Sequence, residues 1–368
     1  MDANLEGLVQ LHELTEAWRV TGHGPRLRAV QSGALKLRER FAGGPRAMAV
    51  RTFSLTTLPY PTRYAFNGAA TSVAPFVILT HRALLVQFLQ RGAIKHLLFN
   101  PTDTVASRAT PYFARLAETL PKAIEPLIVK KFDPLEEQLL ALGVTPGDID
   151  YVAFDHFHTQ DLRGLLGTSD GARTARFPNA RLIAQKAEWD DWDDLHPVQR
   201  AWFIEDGKKG VDTSRIVIVD GDVLLGDGVM LVRTPGHTSG NQTLFMNTEQ
   251  GVWGTSECGT CADSWSPHES RISGLLALCR KQDLEVIVNS NTPELGADQY
   301  TSMLLERMIV DRVKAAPRFV QMFPSSEVTA HFIAPGVRPT WVHGAIETGR
   351  LAKSRVELGS HGNGGGRD

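Results

Sequence analysis

Apolar and polar positions alternate or cluster in blocks that read as strands separated by helical stretches. Leu8, Leu11, Leu14 and Trp18, then less regularly Leu27, Leu35 and Leu37, recur among charges at roughly helical spacing, which predicts a helical N-terminal extension over residues 1–49. From Val50 the pattern turns to strand, over 50–55 and again over 74–88, followed by the short apolar run 97–99. Residues 134–143 read as an amphipathic helix stopped by Gly143, and 145–148, Thr-Pro-Gly-Asp, is turn chemistry. Apolar runs at 151–154, 217–223 and 229–232 predict further strands, the last two flanking the turn Gly226-Asp227-Gly228. Two more strand-then-loop segments are expected at 251–261 and 284–294. After Pro324 the pattern loses regularity, so residues 326–368 are read as an irregular C-terminal segment, and the glycine-rich 360–368 as a disordered tail.

The strand ending near Phe154 feeds the sequence Asp155-His156-Phe157-His158-Thr159-Gln160-Asp161. In extended chain, residues two apart point the same way, so His156 and His158 can aim both imidazoles at one point. Imidazole is the commonest protein ligand for zinc and also suits iron, and Asp161 offers a carboxylate oxygen three residues on. Taken alone, an H-x-H pair is more often a surface or core coincidence than a pair of ligands. A second signal lies downstream in Thr234-Pro235-Gly236-His237-Thr238-Ser239-Gly240-Asn241, where a Pro-Gly turn presents another histidine.

These motifs, with the segment 177–189 between them, resemble the metallo-β-lactamase superfamily of hydrolases, in particular its lactonase-like members, over roughly residues 53 to 293. The resemblance implies an α/β chain with an αββα four-layer sandwich over 50–325. It implies that His156, His158 and His237 hold a first metal ion. Gln160 stands where the family has an aspartate, Asp161 where it has a histidine, and Asn291 near its last histidine; Glu257 is the carboxylate near the bridging position. Asn100 likewise replaces a supporting aspartate. One zinc ion is therefore the first reading, with Asp161 and Glu257 as the carboxylates that take the proton of an attacking water. Those same carboxylates would favour iron or manganese if they rebuilt a second position. The implied reaction is hydrolysis of a small-molecule ester, lactone or amide; the alternatives are an iron-dependent redox or tailoring enzyme, and a metal-free ligand-binding pseudoenzyme.

Composition narrows the partners. The 368 residues, 42% hydrophobic and 22% charged, suffice for a sizeable core, and a net charge of -2 with no strong basic block argues against nucleic acid. No apolar run approaches the ~20 residues of a membrane helix. The N-terminus is acidic and polar where a secretory leader would be basic and then apolar. Cys258, Cys261 and Cys279 make no disulfide framework, and the lone C-x-x-C reads as buried or loop cysteines before it reads as a redox pair, with Cys258 a candidate soft ligand. A cytoplasmic protein is expected, with a homodimer through the N-terminal helices as one use of that extension.

Overall fold

A computed structural model describes residues 7–119, 123 and 125–352; the tail expected at 360–368 lies outside them. Among the described residues the strands run, in chain order, β1 (Val9–Leu11), β2 (Ala49–Pro61), β3 (Phe76–Gln90), β4 (Ala93–Phe99), β5 (Tyr151–Ala153), β6 (Arg181–Gln185) and β7 (Ile216–Val219). They continue as β8 (Asp222–Gly226), β9 (Val229–Arg233), β10 (Gln242–Thr248), β11 (Gly251–Ser256), β12 (Met322–Pro324), β13 (Ser326–Thr329) and β14 (Glu347–Gly349). One sheet has the order β14-β2-β3-β4-β5-β6-β7 with β13 added on β3, and the other β1-β8-β9-β10-β11-β12.

Side-chain alternation explains how these sheets stack. On β3, Leu84, Val86 and Phe88 point to one face and Ala83 and Leu85 to the other, yet all five are buried, so both faces of the strand are covered. The first set meets Leu231, Leu244 and Met246 of the second sheet in the central core. The outer face of the first sheet is covered by the helices Leu135–Ala141 and Leu162–Leu166 through Leu139 and Leu165. The outer face of the second, through Met230, Val232 and Phe245, meets the helices His23–Ala42 and Gly296–Ile309. Helix, sheet, sheet and helix thus form four layers. Each fully buried leucine contributes roughly 2 kcal/mol relative to exposure, so this patterning outweighs the weak helix propensities of short segments such as Leu162–Leu166.

Residues 7–49 do more than form helices. β1 pairs antiparallel with β8 at the edge of the second sheet, and His23–Ala42 supplies Val30, Leu37 and Phe41 to its outer core. The run 217–223 breaks at Gly221 (φ 103), where the chain leaves one sheet for the other. Two expected features differ. Residues 284–290 form no strand, although Val286 to Val288 are buried and Ile287 N and Asn289 N donate to Ser264 O and Cys258 O. Beyond Pro324, β13 and β14 extend the first sheet through short backbone pairings that polar side chains do not advertise.

Candidate metal centre

The parallel strands β4, β5 and β6 end side by side, and the loop after β5 carries Asp155 to Asp161 into the cleft above them. Its turn needs a left-handed residue at Thr159 (φ 65), and the loop after β4 needs one at Asn100 (φ 54). Such backbone is rare for residues with a Cβ and collects at functional sites. His237 arrives from the other sheet on the β9–β10 loop. Gly236 there has φ 146, and a Cβ on it would lie 2.1 Å from Gln299 Cα, so only glycine lets the turn seat against the helix Gly296–Ile309. Gln242 stitches the two loops together, its backbone N donating to Asp155 O (2.8 Å) and its Nε2 to Phe154 O (2.8 Å).

His156, His158 and His237 converge: one ring nitrogen of each lies within 4.8 Å of the others, and all three side chains are buried. Hydrogen bonds decide which nitrogens face inward. His156 Nδ1 donates to Asp155 Oδ1 (2.7 Å), which leaves Nε2 with its lone pair. His158 Nε2 donates to Gln199 Oε1 (2.6 Å), which leaves Nδ1, and that atom stands 3.2 Å from His237 Nε2. Burial pushes both His158 and His237 well below the ordinary histidine range, helped by the neighbouring His156, so these rings are neutral at neutral pH. Neutral, inward-facing imidazoles are the donor set that zinc takes.

Asp155, quoted in the motif but given no role by it, is the support of this centre. Its Oδ1 also accepts from His156 N (2.9 Å), and its Oδ2 accepts from Asn100 Nδ2 (3.1 Å) and Ser325 Oγ. Burial alone would raise this carboxyl, but His156 and these donors outweigh it and hold it below the usual carboxylate value. Asn100 therefore supports the site through Asp155. His81 on β3 also lines the cleft, bonded to Thr102 Oγ1 (2.8 Å) and Ser326 Oγ (3.0 Å), with its pKa lowered to about 4 by burial. No spacing signal marks His81 in the sequence.

The two expected carboxylates part company. Glu257 lines the same cleft, fully buried, its Oε2 accepting from Ser326 N (2.9 Å); burial, and then the Asp155 charge, push it well above the usual carboxylate value. Asp161 does not join the histidines. It caps the helix Leu162–Leu166 by accepting from Arg163 N (3.1 Å), and both its oxygens are held by guanidinium groups, from Arg163 (2.9 and 2.7 Å) and Arg173 (3.2 Å). Two arginines had more to offer this carboxylate than the cleft did. Cys258 also points away, its Sγ accepting from Asn241 Nδ2 (3.5 Å) inside the core, and burial raises its thiol well above the ordinary value. Trp202 lines the cleft beside His158, whereas Trp192 packs against Phe157 and Phe203.

No family model matches the chain. It is 30% identical over 152 residues to the N-acyl homoserine lactonase AttM of Azorhizobium caulinodans, covering 38% of this chain and 52% of that one. It is also 30% identical over 120 residues to the N-acyl homoserine lactonase AiiA of Bacillus thuringiensis subsp. kurstaki, covering 32% and 41%. At 52% and 41%, the chain spans about half the length of the curated relatives it matches. Similar solved structures include a probable metal-dependent hydrolase from Staphylococcus aureus, 14% identical over 70% of this chain and 82% of that one with a TM-score of 0.48. The helix, sheet, sheet and helix layering is the αββα sandwich that the sequence led one to expect. Within this sandwich, Gln160 and Asn291 line the cleft with side-chain oxygens, Oε1 and Oδ1, that are buried and unpartnered among the described residues. Neutral amides thus stand where the resemblance leads one to expect charged or imidazole ligands.

Proposed function

We propose that this chain is a metal-dependent hydrolase that opens a small-molecule lactone or ester, with His156, His158 and His237 holding one zinc ion. The observation that carries the reading is the convergence of three imidazoles whose outward nitrogens are taken, for two of them, by Asp155 and Gln199. The similarity to N-acyl homoserine lactonases supports the choice of a lactone. When bound, the ion would supply a water of pKa about 7 and polarise the carbonyl.

The chain's own groups then divide the remaining work. Glu257, which lines the cleft with the three histidines and whose carboxyl burial pushes well above its usual value, holds and moves the proton, whereas both oxygens of Asp161 are taken by two arginines. Gln160 and Asn291, with unpartnered amide oxygens, accept hydrogen bonds from the substrate or from water but cannot act as bases. They are poor ligands for a second transition-metal ion, which supports a single one. Among the described residues no helix is long and apolar enough to cross a membrane.

The test pairs elemental analysis of protein purified without added metal with titration of the acid released from a panel of lactones and esters. About one zinc per chain and hydrolysis lost on chelation are the expected results. Undiminished hydrolysis by fully stripped protein would sink the proposal.

A further inference from the structure

Glu188 lies in the segment 177–189 and has been given no role above, yet it touches both histidine loops. It sits in the helix Lys186–Asp191, which follows β6 directly, so its backbone is anchored to the rigid end of a central strand. Its side chain is buried. Oε1 accepts from Phe157 N at 2.7 Å, the amide between His156 and His158. Oε2 accepts from Thr238 Oγ1 at 2.5 Å, the residue that follows His237. The His237 loop is pressed onto the same place: a Cβ at Gly240 would lie 2.2 Å from Glu188 N, so only glycine allows this approach. One carboxylate therefore bridges a loop from each sheet, and each of its oxygens is bonded next to a histidine of the cluster.

We propose that Glu188 is a positioning residue that sets the separation of the two histidine loops and so determines how tightly, and in what geometry, the three imidazoles take a metal ion. The inference rests on the metal-centre reading above. A buried carboxylate is costly to keep, and two charge-assisted hydrogen bonds are what hold it here. Removing it would leave Phe157 N without its acceptor and free the His237 loop to move relative to His158, whose Nδ1 stands only 3.2 Å from His237 Nε2.

The experiment uses the full chain and three variants, Glu188→Ala, Glu188→Gln and Thr238→Val. Zinc affinity is measured by competition with a chromophoric chelator, coordination geometry by the visible spectrum of the cobalt(II)-loaded protein, and fold by thermal unfolding of the metal-free form. Glu188→Ala should lose about 10- to 100-fold in zinc affinity, the range for groups that orient metal ligands, and its cobalt spectrum should change. Glu188→Gln can still accept from Phe157 N and donate to Thr238 Oγ1, so it should recover most of the affinity. Thr238→Val cuts one arm only and should lose several-fold, which keeps the inference testable if Glu188→Ala does not fold. Wild-type affinity and an unchanged cobalt spectrum in Glu188→Ala or Thr238→Val, with only the metal-free unfolding temperature lowered, would overturn the inference alone. A wild-type chain that takes up neither metal would overturn the metal-centre reading and this inference with it.

Discussion

Asp155 shows how much one side chain can decide. It fixes the tautomer of His156 through Nδ1, and it is itself fixed by Asn100 and Ser325, so three segments of chain meet at one carboxylate. Replacing it with alanine should lower zinc affinity by about 10- to 100-fold, read by chelator competition; an unchanged affinity would mean that His156 is oriented by packing alone. Gln199 plays the same part for His158 and is held in turn by Glu294 through a 2.6 Å hydrogen bond from Nε2. His237→Ala removes one of the three converging ring nitrogens, and the purified variant is expected to carry no stoichiometric metal. Normal metal content in that variant would exclude His237 as a ligand.

At the scale of elements, the site depends on loops that are short and tied at both ends. The β5 loop is held by Gln242 from the opposite sheet, and Thr292 Oγ1 donates to His237 O at 2.6 Å. Asp161 belongs to this level and not to the centre: it is the cap of the helix Leu162–Leu166 and the anchor of Arg163 and Arg173. Asp161→Ala should therefore cost about 1–2 kcal/mol of stability, measured by denaturant unfolding, with metal content unchanged. Loss of the metal without loss of stability would return Asp161 to the ligand set.

For the whole molecule, stability should depend on pH through histidines that the core keeps neutral. His343 packs against Trp253, Nε2–H donates to Met322 O (3.0 Å), Nδ1 accepts from Trp341 Nε1 (3.3 Å), and burial pushes its pKa down to about 4. The unfolded chain binds a proton near the ordinary histidine value of 6.5, while the native state refuses it until about 4. The stability this gives is complete above 6.5 and is lost as pH falls from 6.5 towards 4. The unfolding temperature of His343→Gln, which keeps a donor for Met322 O, should fall less steeply across that window than that of the wild type. Parallel curves would show that other groups carry the acid sensitivity.

Local pattern by itself determined most strands, the helix ended by Gly143, and the pairing of His156 with His158, because these depend on spacings of two to four residues and on turn chemistry. Motif order brought His237 and Glu257 to the same cleft in expectation as in structure. Only the tertiary structure decided what Asp155, His81, Glu188 and Gln199 do, since their partners lie on other segments and a lone polar residue carries no periodic signal. It also turned Asp161 away, because the competition between arginines and an ion for one carboxylate is settled by which groups the fold places within about 3 Å. The same holds for β1, β13 and β14, short strands whose existence depends on an edge or neighbour built by distant residues.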